Sequence, residues 1–387
     1  MLVLTVVGAR PQFIKAAPVS RALQARDHRE LLVHTGQHYD DAMSSRFFDE
    51  LAIPAPFVNL GVGSASHAAQ TADMLKGLEP LIIREQPDWV LIYGDTNSTL
   101  AAAVAASKLH VPIAHVESGL RSFNRRMPEE VNRLVADVLS AKLFAPTEGA
   151  VGQLLREGVS ADKIHFVGDV MYDAALLFGD HAKDQCRVLD PVGVTGDYIL
   201  ATVHRAENTD DETRLRAIIG GLRTVATRLP VILPVHPRTR RRLDTLGFAR
   251  EITPPLHLID PVGYLDMLAL ERRASVVVTD SGGVQKEAFF FSVPCVTLRD
   301  ETEWTELVTL GWNCICPPID AERIAGAVES AIGRRGRPGS PYGDGHASER
   351  IVSALESSTN GIAIGRDELM RSQYRTSMQA SASGGRD

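Results

Sequence analysis

The sequence predicts an α/β protein of two doubly wound, Rossmann-like domains, and three observations carry that expectation. Short apolar runs rich in Val, Ile and Leu alternate with longer segments of helical periodicity, the pattern of parallel sheets covered by helices on both faces. The alternation lapses between residues 180 and 197 and then resumes. The chain has 387 residues, more than the roughly 250 to 300 at which a single core stops growing.

In the first half, strands are expected at Leu2–Val7, Leu31–Thr35, Trp89–Tyr93, Pro112–Val116, Lys142–Ala145 and Ile164–Val167, with helical stretches such as Ala101–Lys108 and Glu129–Ser140 between them. The second series runs Tyr198–Val203, Pro230–Val235, Leu256–Ile259, Ser275–Thr279, Pro294–Leu298 and Cys314–Cys316. The expected organisation is a first domain over 1–180, a linker at 181–197, a second domain over 198–358 and a largely disordered tail from 359 to 387, where apolar patterning is lost. Two such halves imply an interdomain cleft, the place where ligands of these folds sit.

Composition narrows the function. Hydrophobic residues at 44% and charged residues at 23% are ordinary for a soluble globular chain, and a net charge of -7 argues against a broad nucleic-acid surface. The four cysteines, Cys186, Cys295, Cys314 and Cys316, are too few and too poorly spaced for a disulfide framework or a zinc site, and they suit a reducing cytoplasm. Leu2–Val7 follows no basic region and stops at Gly8-Ala9-Arg10-Pro11, so it reads as a buried strand and not a signal peptide. No run reaches the roughly 18 to 20 apolar residues of a membrane span, and no membrane partner is expected.

The chemistry-bearing motifs fall at strand ends. Thr279-Asp280-Ser281-Gly282-Gly283 follows the run Ser275–Val278 and precedes a helix carrying Glu287, so backbone N–H groups and a helix dipole are offered to an anion. His204-Arg205-Ala206-Glu207 and Val235-His236-Pro237 place imidazole and guanidinium groups at two further strand ends. A structural turn and structural histidines are the plainer readings of each motif alone; their convergence on one edge favours an anion site. In the first half, Gly8 to Lys15 brings Arg10 and Lys15 to a helix start but lacks the G-x-G-x-x-G of a dinucleotide fold. Gly61-Val62-Gly63-Ser64 follows no convincing strand.

Carboxylates mark three further strand or helix ends: Asp95 in Gly94-Asp95-Thr96, Glu117 in His115-Val116-Glu117-Ser118-Gly119, and Glu129 in Pro128-Glu129-Glu130. Asp95 alone reads as a helix cap and Glu129 as a first-turn acid. Together, opposite an anion site, they suggest general acid–base work. The histidines are too scattered for a metal, and Ser281 lacks a nucleophile-elbow context. Chemistry without metal or redox cofactor is the expectation.

In this order these segments, with Gly36-Gln37-His38 and Arg121, resemble the non-hydrolysing UDP-N-acetylglucosamine 2-epimerases from Met1 to about Leu355. The resemblance implies a GT-B-like arrangement of the two domains, a homodimer, and no cofactor. The implied activity interconverts UDP-N-acetylglucosamine and its manno epimer by expulsion and re-addition of UDP through a 2-acetamidoglucal. It also implies Asp95, Glu117, Glu129 and His204 as catalytic residues, and Arg10, Lys15, Arg205, His236, Ser281, Gly282, Gly283 and Glu287 as the hold on the UDP-sugar.

Departures bear on the substrate. Trp304 stands where many members acting on UDP-N-acetylglucosamine have arginine; with Gly168–Asp173 and the basic turn Arg121–Arg126 it resembles a subgroup acting on UDP-2,3-diacetamido-2,3-dideoxy-glucuronate. Arg125 and Arg126 read either as a uronate contact or as a solvated turn. Gln37-His38 is followed by Tyr39, and Asp73 stands further on, where allosterically activated members carry arginines; weak or absent activation is expected. A glycosyltransferase of the same fold, a hydrolysing epimerase and a non-catalytic sugar-nucleotide sensor are the competing readings.

Overall fold

A computed structural model describes residues 1–37, 53, 55–182, 188–248 and 252–357. Cys186, the tail from 359, His38 and Tyr39 lie outside the described residues.

The chain forms two compact units, Met1–Val170 with the chain from Gly343 onward, and Met171–Tyr342. The first holds β1 (Leu2–Val7), β2 (Arg29–His34), β3 (Val58–Asn59), β4 (Trp89–Tyr93), β5 (Ile113–Val116), β6 (Lys142–Ala145) and β7 (Ile164–Phe166). They pair in parallel as a seven-stranded sheet of order β3-β2-β1-β4-β5-β6-β7. The helices are α1 (Arg10–Ala25), α2 (His67–Glu85), α3 (Asn97–Lys108), α4 (Pro128–Leu139) and α5 (Glu148–Arg156). Because helices cover both faces, β1 and β4 are apolar except for the buried Thr5, and Val3, Leu4, Val6 and Val90 to Tyr93 are fully buried.

The second unit repeats the plan. β8 (Ile199–Thr202), β9 (Val231–Pro234), β10 (Leu256–Ile259), β11 (Val276–Thr279), β12 (Cys295–Thr297) and β13 (Asn313–Ile315) form a parallel six-stranded sheet of order β10-β9-β8-β11-β12-β13. Around it lie α6 (Val170–Ala182), α7 (Ala206–Thr209), α8 (Glu212–Ala226), α9 (Pro237–Thr245), α10 (Tyr264–Arg273), α11 (Gly282–Phe290), α12 (Thr305–Thr309) and α13 (Ala321–Ala331). In each sheet the winding reverses between the first strand and the fourth, β1 with β4 and β8 with β11. At such switch points loops diverge from the strand ends and open a crevice for ligands.

The units divide at Val170 and again at Tyr342, not at the polar stretch 181–197. α6 belongs with the second unit because its aromatic face packs there: Tyr172 stacks on Phe290 at 4.6 Å and Phe178 meets Tyr264 edge-on at 6.2 Å. A helix at 347–357, α14, returns to the first unit, where Arg26 Nη1 reaches Ser353 Oγ at 2.8 Å and Arg350 Nη1 donates to the Val167 carbonyl at 3.1 Å. The short edge strand β3 has no counterpart among the expected strands. It ends two residues before Gly61, and the N–H groups of Val62 and Gly63 are taken by the carbonyls of Thr35 and Gly36. That turn extends the sheet edge and offers those amides to no phosphate.

Candidate functional site

At the switch point of the first sheet two of the three sequence-predicted acids, Asp95 and Glu117, come together. Asp95 follows Gly94 at the end of β4, and Glu117 follows β5. Glu117 forms an ion pair with Lys15 of α1, and Asp95 with Arg133 of α4. Burial pushes the Asp95 carboxyl above the ordinary aspartate value and the Glu117 charge adds to the rise, against the pull of Arg133 and Lys15. A carboxyl raised in this way retains its proton more readily, which suits an acid.

The backbone around the pair is unusual. Glu117 has φ 69, and Gly94 has φ 59. A left-handed glutamate is strained, and such strain gathers at functional sites. Gly94 lies in the left-handed region that favours glycine, and a Cβ there would also crowd Glu117 Oε2 at 3.1 Å.

A buried polar network holds this loop. Fully buried His115 donates from Nε2 to the Gly94 carbonyl at 2.7 Å and meets Asp137 Oδ1 through Nδ1 at 2.7 Å. Asp137 also accepts from the Gly119 N–H at 3.1 Å and pairs with Arg121 at 2.7 Å. Burial opposes ionisation of Asp137, but the hydrogen bonds and charges of His115 and Arg121 outweigh it and hold the carboxyl below its ordinary value. Asp137 thereby fixes both sides of the Glu117 turn. Arg121, whose remaining nitrogens grip Glu157 at 2.8 and 2.6 Å, is a buried structural cation.

Other expectations meet more mixed geometry. The cap of α3 is Thr96, which accepts from the Thr99 N–H, so Asp95 is released from capping. Glu129 is the exposed first-turn acid of α4, and among the described residues its carboxylate has no hydrogen bond or ion pair that would join it to Asp95 or Glu117. It shares a helix face with Arg133, one turn on. The buried neighbour Glu130 instead accepts from the N–H groups of Ser122 and Phe123 at 2.9 and 3.0 Å and tethers that turn. Arg125 and Arg126 are exposed, as is Arg10 at the first position of α1. Near it, the N–H groups of Gly8 and Ala9 are taken by Gln12 Oε1. Gln37 accepts from the N–H and hydroxyl of Ser98, and Asp73 pairs with Lys76.

The second sheet carries, at the ends of β8 and β11, the residues expected to hold an anion. Asp280, fully buried at the end of β11, accepts from the N–H groups of His204 and Arg205, from Asn208 Nδ2 and from His204 Nδ1, the last at 2.9 Å. Burial opposes the charge, but the His204 hydrogen bond and charge and the amide donors prevail, so the carboxyl lies below its ordinary value. The His204 side chain is 53% exposed, which leaves Nε2 the nitrogen available to a ligand. Ser281 caps α11 by accepting from the Val284 N–H. Among the described residues no acceptor meets the N–H groups of Gly282 and Gly283, so two amides and the positive end of α11 remain open to an anion.

His236 is exposed beyond β9. The first turn of α9 reaches β8 through Thr239, whose hydroxyl donates to the Val203 carbonyl at 3.3 Å. Glu287 is buried one turn along α11 from Gly283. Behind it stands Glu271, fully buried with no hydrogen-bond partner for either carboxyl oxygen among the described residues. Burial, with the Glu287 charge adding, raises its carboxyl well above the ordinary value. Arg299 grips Glu303 at 2.8 and 3.1 Å; burial opposes the Glu303 charge, but the Arg299 hydrogen bonds and charge, with a smaller pull from Arg205, hold its carboxyl below the ordinary value. Asp137, Arg133, Glu271 and Arg299 escaped sequence reasoning. Asp280 was visible only as part of a turn. Among the described residues no group of His, Cys, Asp or Glu is placed to hold a metal ion.

Two doubly wound domains, one with paired acids and cations at its switch point and the other with open amides at the start of α11, have the architecture of an α/β enzyme. The family model for UDP-N-acetylglucosamine 2-epimerase matches residues 21–356, and the chain belongs to that family of isomerases. It is 50% identical to the UDP-2,3-diacetamido-2,3-dideoxy-D-glucuronate 2-epimerase of Pseudomonas aeruginosa, over 92% of this chain and 99% of the relative. It is also similar to the Methanocaldococcus jannaschii UDP-GlcNAc 2-epimerase solved with UDP-GlcNAc and UDP, at 42% identity and TM-score 0.82, over 92% of this chain and all of that one. The Neisseria meningitidis UDP-GlcNAc 2-epimerase bound to UDP-GlcNAc matches at 30% identity and TM-score 0.82, over 92% and 100%.

Proposed function

We propose that the chain inverts carbon 2 of a UDP-linked 2-acetamido sugar by expelling UDP and adding it back. The observation that carries this reading is the Lys15–Glu117 and Arg133–Asp95 cluster on a strained loop at a sheet switch point. The carbon 2 hydrogen has no adjacent carbonyl to acidify it. When the bond from carbon 1 to the diphosphate oxygen breaks, its electron pair leaves with UDP and positive charge develops at carbon 1. Carbon 2 can then lose its proton to a carboxylate, and the electron pair of that C–H bond becomes the C1=C2 double bond of a 2-acetamidoglucal.

Return of UDP to carbon 1, with proton delivery to the opposite face of carbon 2, completes the inversion. In this reading Glu117 and Asp95 exchange the protons, Asp95 being the group whose environment favours holding one, with Glu129 as a third acid brought in with substrate. His204, Arg10 and the Gly282 and Gly283 amides stabilise the leaving diphosphate. Ser281 shapes that seat, Lys15, Arg205 and His236 hold the phosphates, and Glu287 takes a ribose hydroxyl.

UDP-N-acetylglucosamine is the substrate the family at large indicates. The 50% identity to the Pseudomonas enzyme, against 42% to the Methanocaldococcus one, favours UDP-2,3-diacetamido-2,3-dideoxy-glucuronate as the second reading. Comparing kcat/KM on the two substrates decides between them. Glu117→Gln separates epimerase from glycosyltransferase: loss of epimerisation with UDP binding retained supports the proposal, and full activity sinks it.

The setting we infer is a cytoplasmic homodimer. No helix among the described residues is long and apolar enough to cross a membrane. On α4, Val131 is 43% and Val138 77% exposed, and Leu134 and Val135 complete an apolar stripe at i, i+3, i+4 and i+7. A second copy covering that stripe accounts for its composition.

A further inference from the structure

One aromatic side chain of the second unit is buried with its polar atom unmet. Trp304 is 9% exposed, and no acceptor for its indole Nε1 is found among the described residues. That nitrogen faces the start of α11: it lies 3.5 Å from the point a Cβ on Gly282 would occupy, and no other atom is within 4 Å of that point beyond the local chain. The ring is held from two sides. The Lys286 ammonium sits 4.2 Å from its centroid, and Tyr342 meets it edge-on at 6.0 Å. Buried donors in native proteins are satisfied, so an unmet one that faces open amides points to a ligand acceptor.

We propose that the Trp304 indole N–H donates to the diphosphate of the nucleotide seated at the N-terminus of α11, beside the amides of Gly282 and Gly283. Lys286 places a positive charge behind the ring, which draws electron density from the indole face and strengthens the N–H as a donor. The indole is thus a positioning and specificity element for the leaving group, and it rests on reading this terminus as the UDP seat. An aromatic N–H here supplies one directional donor, where a guanidinium would supply a fork and a full charge.

The test is calorimetric titration of the full chain with UDP and with uridine, in wild type and Trp304→Phe, which keeps a smaller aromatic ring and removes the N–H. UDP affinity falls roughly tenfold, as for loss of a hydrogen bond to a charged acceptor, while uridine affinity stays within about twofold. Equal UDP affinities, or an equal loss for uridine, would overturn the proposal. A wild type that does not bind UDP would overturn it together with the reading of the seat. A second measurement needs no variant: with the three tryptophans labelled at indole nitrogen, UDP moves one indole resonance downfield, and three unmoved resonances refute the donor role.

Discussion

Asp280→Asn tests how the proposed anion seat is built. In the native site Oδ2 accepts from Arg205 N–H at 3.0 Å and Asn208 Nδ2 at 3.1 Å, while Oδ1 faces His204 Nδ1 at 2.9 Å. An asparagine oxygen can replace Oδ2, but its NH₂ group then faces His204 Nδ1. That nitrogen must become an acceptor, which reverses the tautomer and changes what Nε2 presents to the ligand. The buried charge-assisted bonds weaken at the same time, at a cost of about 2–4 kcal/mol in stability. Urea unfolding reads the stability, and UDP titration reads an affinity loss of roughly tenfold.

His204→Ala is the control. Removing its half-exposed ring loses the affinity and costs less stability than Asp280→Asn, because the N–H groups of His204 and Arg205 and Asn208 Nδ2 still donate to the carboxylate. The sign of the pH effect follows from the depressed Asp280 carboxyl. Its stabilisation is present above the ordinary aspartate value, about 3.9, and is lost as pH falls through the lower folded value. The difference between wild type and Asp280→Asn therefore shrinks on acidification below about pH 4. Equal unfolding of the two proteins at pH 7, or equal destabilisation by His204→Ala, would refute the reasoning.

Three further outcomes are expected. Gly94→Ala forces a Cβ into a left-handed position 3.1 Å from Glu117 Oε2; stability drops by about 1–2 kcal/mol, and kcat falls while UDP affinity, measured by titration, holds. Glu271→Gln removes a carboxyl whose raised folded value makes wild-type stability fall as pH rises from about 5 upward; the variant's melting temperature gains on the wild type between pH 5 and 9, and a constant difference counts against burial of the neutral acid. Val138→Lys on the exposed α4 stripe halves the mass seen by light scattering if that stripe joins two copies, and an unchanged dimer places the interface elsewhere.

Most of the fold was legible in the sequence because doubly wound sheets bury both faces. Leu2–Val7, apolar but for Thr5, and Val276–Val278 read as buried runs for that reason, and the loops at their ends carry the candidate site residues. β3 escaped because two residues at a sheet edge have no periodicity to read. The unit boundary was misplaced because α6 is as regular as its neighbours, and only its ring contacts with Phe290 and Tyr264 assign it to the second unit. Lys15, Asp95 and Glu117 could be singled out by their places at strand and helix ends. Asp137, Arg133 and Glu271 could not: each lies within a helix, where a charged residue ordinarily reads as a solvated face, and only the fold turns it inward.

The most direct test of the central claim is proton NMR of the purified chain with each UDP-sugar in deuterated water, without added cofactor. Deuterium is expected at carbon 2, with accumulation of the carbon 2 epimer, for at least one of UDP-N-acetylglucosamine and UDP-2,3-diacetamido-2,3-dideoxy-glucuronate. A carbon 2 proton retained in both, while UDP binds, would contradict proton exchange at that carbon and with it the roles given to Glu117 and Asp95.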